Sequence, residues 1–568
     1  MPLKLNRIKP KGGSALEVGK LIILVGPNNS GKSQTLRDIR DFIIAGSVQR
    51  LTILEALEVD LPTKPDAILE VSQRPHSNPG LTQLQGVASD LQNRGEATVP
   101  NTWIDQQFGQ VHSEPVRNSL LEQLGKFWCA FLDAESRFRL AAATDSYDTR
   151  SEAPSNALQA FFSRRAEAGP EIRIAFKNTF SMDIALDWAA MKRLYLKVGP
   201  NFGTIPETLE GLDVALKDAQ DLSQQGDGYK SFTGVLLALL AFPNRLLMLD
   251  EPEAFLHPAQ ARALGRWIAE QANKRPAQVI LASHSADFLL GVISADPAAT
   301  VVRLNRSDTG TAFHQVPTTT TSGLINSPLL SSQPVLDSLF HKGVVVCEGD
   351  PDRALYQTVL HQFLRAQGGE EVLLIHSNGK DAAKIPIEML RSSRTPVCAI
   401  VDIDVLNSAE VIAGIIMALT GAPVEPQVAA LRDSIATAVE NAKPEDLLLA
   451  LVESVSKWLE LKHTDLRRAR KALVTSAKIK SRWEGVKSKG VEYFEGANRQ
   501  SVDELLMLLR QIGVFVVPVG ELEGWMKLGI AKGGEWNRIA LEQLHAGNCP
   551  PALKDFMGGV LRFLGVSK

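Results

Sequence analysis

Residues 21–33 read LIILVGPNNSGKS: five apolar residues, a loop bounded by glycines, then a lysine and a serine where a helix can begin. An apolar run without alternation suits a strand covered on both faces. The spacing Gly26-x-x-x-x-Gly31-Lys32-Ser33 is that of a loop that wraps phosphates. Its glycines let successive N–H groups turn inward around an anion, with Asn28 and Asn29 between them. Lys32 can reach the β and γ phosphates, Ser33 can ligate Mg²⁺, and a helix opening near Lys32 adds its positive end. The stretch predicts an ATP-binding α/β core in which Gly26, Asn28, Asn29, Gly31, Lys32 and Ser33 touch the nucleotide.

Three later stretches extend this reading. In QQGDGYKSFTGVLLALLAF (224–242), Gly226 and Gly228 precede Lys230 and Ser231 and a long apolar helix, again a helix start able to receive an anion. RLLMLDEPEAFLHP (245–258) holds a buried strand ending in Asp250, placed to hold Mg²⁺ through water, and in Glu251, placed to polarise an attacking water. QVILASHSADFL (278–289) is a third strand, and it brings His284 to the same edge, within reach of a γ-phosphate. A fourth landmark, FWCAFLDAESRFRL (127–140), is an apolar strand followed by Arg137, which either approaches nucleotide or joins a salt bridge.

In this order the pieces resemble the ABC-type ATPases. The resemblance implies that Gly226, Gly228, Lys230 and Ser231, together with Asp227, act in trans as a signature segment, so that ATP clamps a homodimer through the ATPase domains. The signature departs from the LSGGQ of transporters, and no Q-loop glutamine stands out. No long heptad tract is present, which removes an SMC-like arm and a chromosome-tethering role. Residues 50–220 read as an insertion in which VSQRPHSNPGLTQLQG (71–86) is loop and the flanking segments are helical.

A segment dense in Thr, Ser, Pro and Gly (307–334) marks a domain boundary, and a second chemistry follows it. VVVCEGDPD (344–352) is a strand ending in Glu348, with Asp350 and Asp352 opening a helix. TPVCAIVDIDVLN (395–407) ends in Asp402 and Asp404, which share a face if that segment is extended. Facing Glu348, they make an oxygen-rich cluster suited to Mg²⁺ or Mn²⁺, because like charges this close repel unless a cation lies among them. From 457 to 489 eleven Lys and Arg stand against three acidic residues, Glu460, Asp465 and Glu484, a local charge of about 11 − 3 = +8 that can hold a phosphate backbone.

Glu-Gly-x-x-Asp after one strand and Asp-x-Asp after the third resemble the TOPRIM domain. Behind an ABC-type ATPase, the pair is similar to the OLD (overcoming lysogenization defect) family of ATP-dependent endonucleases, which includes the nuclease subunit of the Gabija anti-phage system. The resemblance implies Glu348 as general acid/base or metal ligand, with Asp352, Asp402 and Asp404 as ligands. It matches Glu521 and Glu523 to the acids that a later strand supplies, which suggests a second metal. It further implies a late lysine near the scissile phosphate: Lys487 or Lys489, with Lys527 and Lys532 as alternatives. Double-stranded DNA as substrate, a role in defence, a tetramer beyond the dimer, and a helicase or other partner protein are implied in the same way.

The expected fold class is α/β: an ABC-type ATPase domain over 1–335 with its insertion at 50–220, then a TOPRIM domain over 336–568 with a helical basic insertion at about 408–510. A net charge of −3 gives no global attraction to DNA, so any contact must come from a local patch. Four dispersed cysteines without a C-x-x-C pair indicate neither zinc knuckle nor disulfide framework. With no membrane-length apolar run and no signal-peptide core, the expectation is a cytoplasmic protein with no membrane contact. The expected activity is ATP-regulated, metal-dependent DNA cleavage; the alternative is an ATP-driven DNA clamp or nucleotide sensor without cleavage. A topoisomerase would need a nucleophilic tyrosine on a DNA-binding module, and none of the five tyrosines lies in an evident one.

Overall fold

The run Leu21–Val25 is buried at every position, as an inner strand must be, and in the computed structural model it lies within a six-stranded sheet. Across that sheet the order is Gly310–Gln315, Thr300–Ser307, Leu21–Val25, Gln278–Ala282, Leu246–Asp250, Cys129–Leu132. All neighbours are parallel except the first pair, a hairpin. Because Asp250 is level with Ala282 and Ala282 with Leu24, the strands that precede the phosphate loop, Glu251 and His284 end at one edge. The structure describes residues 3–48, 51–61, 71–307, 310–326, 335–441, 482–530 and 532–566, and within 452–476 positions 452, 455, 456, 458, 459 and 466–476.

Two compact units divide the chain, Met1–Ser331 and Ser332–Lys568. The fold of both is mixed α/β. In the first, the segments around 71–86 are strands rather than loop and helix. Leu54–Asp60 pairs with Lys4–Pro10, while Ser72–Pro75, Leu81–Val87 and Arg94–Pro100 form an antiparallel sheet. The alternation is plainest in Arg94–Pro100, where every second residue is buried, while Ser77–Gly80, which suggested loop, are the exposed turn between Ser72–Pro75 and Leu81–Val87. Cys129–Leu132 is a member of the central sheet itself, inside the span read as an insertion. Helices Glu114–Trp128, Ala157–Ser163 and Arg165–Phe180 lie in the same span.

In the second unit a parallel four-stranded sheet runs in the order Val372–His376, Gly343–Cys347, Val397–Val401, Val514–Val516. One face is covered by a core in which Tyr356, Trp525, Trp536 and Phe556 are buried, with Trp525 Nε1 donating to the Tyr356 hydroxyl at 3.1 Å. The third and fourth strands are separated in sequence by helices that include Ala409–Thr420, Pro426–Glu440, Trp483–Lys489 and Gly496–Gln511. Of the basic run, Lys457, Lys462, Lys478 and Lys480 lie outside the described residues. Among the described residues no helix is long and apolar enough to cross a membrane.

Candidate nucleotide and metal sites

The phosphate loop is built by conformations that side chains resist. Gly26 has φ +143°, and a Cβ there would stand 2.4 Å from the Leu304 carbonyl oxygen. Asn29 (φ 61°) and Gly31 (φ 99°) complete the turn, and the helix Lys32–Ala45 starts directly after it. Lys32 folds back over the loop, its ammonium donating to the carbonyls of Gly26 at 2.7 Å and Pro27 at 3.0 Å. Burial lowers this lysine to about 8. The Ser30 hydroxyl is buried and has no hydrogen-bond partner among the described residues, as expected of a loop shaped for phosphate oxygens. Ser33 Oγ donates to Asp250 Oδ1 at 2.9 Å, which brings the two expected Mg²⁺ residues together. Burial raises the Asp250 carboxyl, with the Ser33 hydrogen bond opposing it.

Glu251 follows Asp250 in the left-handed region, at φ 49°. Its Oε1 lies 3.0 Å from His284 Nε2, and that hydrogen bond holds the glutamate carboxyl below its usual range. His284 is itself held by Glu253, whose Oε1 accepts from the Ser283 hydroxyl at 2.7 Å and from the His284 N–H at 2.8 Å. Glu253 was not singled out in the sequence; its position two residues beyond Glu251, in DEPE, is the signal that it belongs to the same strand end.

The Arg137 side chain is fully buried and, among the described residues, forms no salt bridge; it donates to Ser231 Oγ at 3.0 Å and to the main-chain carbonyls of Asp250 at 2.6 Å and Glu251 at 2.8 Å. Ser231 is consequently buried, with its hydroxyl turned into its own subunit, which corrects the expectation that it faces a partner's nucleotide. Gly226 and Asp227 are exposed at the start of that helix, and Lys230 is within 3.4 Å of Asp227.

In the second unit, Glu348, Asp402 and Asp404 offer carboxylate oxygens that all lie within 4.8 Å of one another. They converge differently from the alternation expected of an extended segment: the strand ends at Val401, Asp402 immediately precedes a short 3₁₀ helix, Ile403–Asn407, and Asp404 lies in that turn. Glu348 Oε1 accepts from the Asp402 N–H at 2.9 Å. Burial raises Glu348, and burial with repulsion from Glu348 pushes Asp402 up to about 8. Asp404 is held below its usual range: burial opposes this, but the hydrogen bond from Lys380 and the charge of Lys487 outweigh it. Asp404 Oδ1 is buried without a hydrogen-bond partner among the described residues, and with three carboxylates this close the donor set fits a hard divalent cation.

Lys487 Nζ lies 3.2 Å from Asp404 Oδ2 and 3.5 Å from Asp402 Oδ2. It is delivered by the helix Trp483–Lys489 packing on the turn after Val514–Val516. Gly520 there has φ +100°, and a Cβ on it would stand 1.8 Å from the Lys487 carbonyl oxygen, so only glycine admits the helix. Lys489 and Lys527 are exposed, and among the described residues no hydrogen bond or ion pair joins either to the acids. Asp352 is not in the cluster: its Oδ2 caps its own helix by accepting from the Gly349 N–H at 3.0 Å. Glu521 and Glu523 are not in that group of three either; they are within 2.6 and 3.8 Å of Lys532, and burial, with a smaller contribution from Glu523, raises Asp352. The sequence reading missed Lys380, which donates to Asp404 Oδ2 at 2.9 Å and to the Asp404 carbonyl at 3.2 Å. Its signal is SNGK, a polar glycine turn directly after the second strand, at the edge where Glu348 ends the first.

Two family models match these regions. Residues 117–291 match "AAA domain, putative AbiEii toxin, Type IV TA system", and residues 339–404 match "Overcoming lysogenization defect protein-like, TOPRIM domain". The chain carries an AAA-type ATPase domain followed by an OLD-like TOPRIM domain, an order that matches an OLD-family ATPase–TOPRIM fusion. Such domains imply use of a nucleotide and a divalent metal. Similar solved structures include an SMC head bound to the C-winged helix domain of ScpA (12% identity, 55% of this chain and 97% of that one, TM-score 0.34). The SMC head domain from Thermotoga maritima is another (13%, 55% and 99%, 0.29). A third is the Smc head domain with an extended coiled coil bound to the C-terminal domain of ScpA from Pyrococcus furiosus (10%, 57% and 98%, 0.29). No curated protein matches the chain.

Proposed function

We propose that this chain is an ATP-regulated, divalent-metal-dependent DNA endonuclease. The observation that carries the proposal is the meeting of Glu348, Asp402 and Asp404 beneath Lys487, in a chain that also holds a phosphate loop joined through Ser33 to Asp250. A divalent cation on the three carboxylates would supply charge stabilisation for a cleaved phosphodiester and a nucleophilic water. Lys487, beside Asp402 and Asp404, would be the late lysine that meets the scissile phosphate. Asp352, Glu521 and Glu523, of which Glu523 acts electrostatically on Asp352, are the residues we propose for a second ion.

In the ATPase unit Lys32 and the loop N–H groups hold the phosphates, Ser33 and Asp250 hold Mg²⁺, Glu251 orients water, and His284 positions Glu251. A homodimer in which Gly226, Gly228 and Lys230 of one subunit cap the other's ATP would set DNA access; Ser231 acts in this scheme through Arg137 rather than by direct contact. The biological role we propose is defence against foreign DNA, with a partner protein.

The test is cleavage of supercoiled plasmid in Mg²⁺ or Mn²⁺, with and without ATP. Nicking or linearisation that disappears in Glu348→Ala, and whose ATP dependence disappears in Lys32→Ala, is the expected result. DNA left intact by a wild type that still hydrolyses ATP would overturn cleavage and favour a clamp or sensor.

A further inference from the structure

Two lysines reach the acidic cluster, and their contacts differ in kind. Lys380 grips a single residue at two points, the side-chain oxygen Oδ2 of Asp404 and that residue's own carbonyl, so it fixes the carboxylate relative to the backbone. The loop that carries it is stapled to the strand of Glu348: the Ser377 N–H donates to the Cys347 carbonyl at 3.0 Å and the Gly379 N–H to the Glu348 carbonyl at 2.8 Å. The Ser377 hydroxyl adds bonds to the carbonyls of Cys347 at 3.1 Å and Gly379 at 2.9 Å. Lys487 comes instead from a helix more than a hundred residues later in the chain, and its ammonium meets two residues, Asp402 through Oδ2 and Asp404 through the same Oδ2 that Lys380 holds.

We propose that Lys380 is a positioning residue of the metal site: by tying Asp404 Oδ2 and the Asp404 carbonyl it fixes the carboxylate and leaves the buried, unpartnered Oδ1 for the cation, whereas Lys487, on Asp402 Oδ2 and the same Asp404 Oδ2, competes with the cation for Asp402. This inference rests on the nuclease reading above. A residue that orients a metal ligand contributes to affinity without touching the ion, and losing one typically costs 10- to 100-fold. A lysine that competes with the cation for a ligand weakens its binding, so its loss has the opposite sign.

The experiment is a Mn²⁺ titration of the full chain without nucleotide, reading free Mn²⁺ by electron paramagnetic resonance. Wild type, Asp402→Asn, Lys380→Met, Lys380→Arg and Lys487→Met are compared, each checked by thermal melting without metal. We expect wild-type binding that disappears in Asp402→Asn, weakens roughly 10- to 100-fold in Lys380→Met, weakens less in Lys380→Arg, and is unchanged or tighter in Lys487→Met. Wild-type affinity in Lys380→Met, or weaker binding by Lys380→Arg than by Lys380→Met, overturns the role of Lys380 and leaves the nuclease reading standing. A wild type with no Mn²⁺ binding dependent on Asp402 overturns both.

Discussion

Arg137 and Ser231, distant in sequence, are joined by a 3.0 Å hydrogen bond in the buried centre of the ATPase unit. The same guanidinium carries the carbonyls of Asp250 and Glu251. One side chain therefore couples the helix that begins at Asp227 to the turn that aims Glu251.

Replacing Arg137 by Met leaves three acceptors without donors in a water-free place. At roughly 1–3 kcal/mol for each unsatisfied group, the ATPase unit should lose on the order of 3–9 kcal/mol. We expect a lower urea midpoint for that unit and at least a tenfold fall in ATP turnover. Wild-type values for both would show that the latch has no energetic role.

Glu251→Gln keeps the shape of the side chain but removes its capacity to take a proton. ATP hydrolysis should fall by about 10²- to 10⁴-fold while binding of a fluorescent ATP analogue stays close to wild type. Loss of binding along with turnover would place Glu251 in the nucleotide pocket rather than at the water.

Lys32 makes a pH-dependent prediction. Burial lowers it from 10.5 to about 8, so between these values the unfolded chain binds a proton that the folded one does not, and this group adds stability as pH rises through that window. ATP phosphates favour the charged ammonium, so binding above pH 8 must take up a proton. Calorimetry at pH 8.5 in buffers of different ionisation enthalpy should show that uptake, and Lys32→Arg should abolish it.

Asp402 works in the opposite sense. Burial and Glu348 raise it from 3.8 to about 8, so the folded protein holds a proton that the unfolded chain has lost, and the metal-free protein gives up this stability as pH rises toward and through 8. A divalent cation displaces that proton, and its affinity should climb over the same range. Melting temperature between pH 6 and 9 should fall without metal, be restored by Mn²⁺, and be flatter in Asp402→Asn; parallel curves for both proteins would refute the assignment.

What the sequence made legible is what local chemistry dictates. Leu21–Val25 has no polar residue, so it had to be buried on both faces, and the parallel strands ending in Asp250 and Cys347 read the same way. Residues 71–86 misled because Pro, Ser and Asn stood for loop where they are the solvent side and turn of a hairpin. Lys380 was invisible because its meaning lies in register: only when Val372–His376 pairs with Gly343–Cys347 does the SNGK turn arrive at Glu348. Arg137 was misread because an arginine after a strand suggests a charged partner, whereas three buried acceptors satisfied it instead.

The order in which the metal cluster is completed has a consequence for synthesis. Glu348 and the Asp402 turn leave the ribosome well before the helix of Lys487 and the strand Val514–Val516, whose following turn seats that helix. Chains fold by units as they emerge, the earlier ones first. A nascent protein of this kind has its phosphate loop and the strand ends facing it in place while its third carboxylate still lacks the later of its two lysine partners. The acidic cluster of a chain still being made therefore lacks the lysine that the finished chain sets beside Asp402 and Asp404.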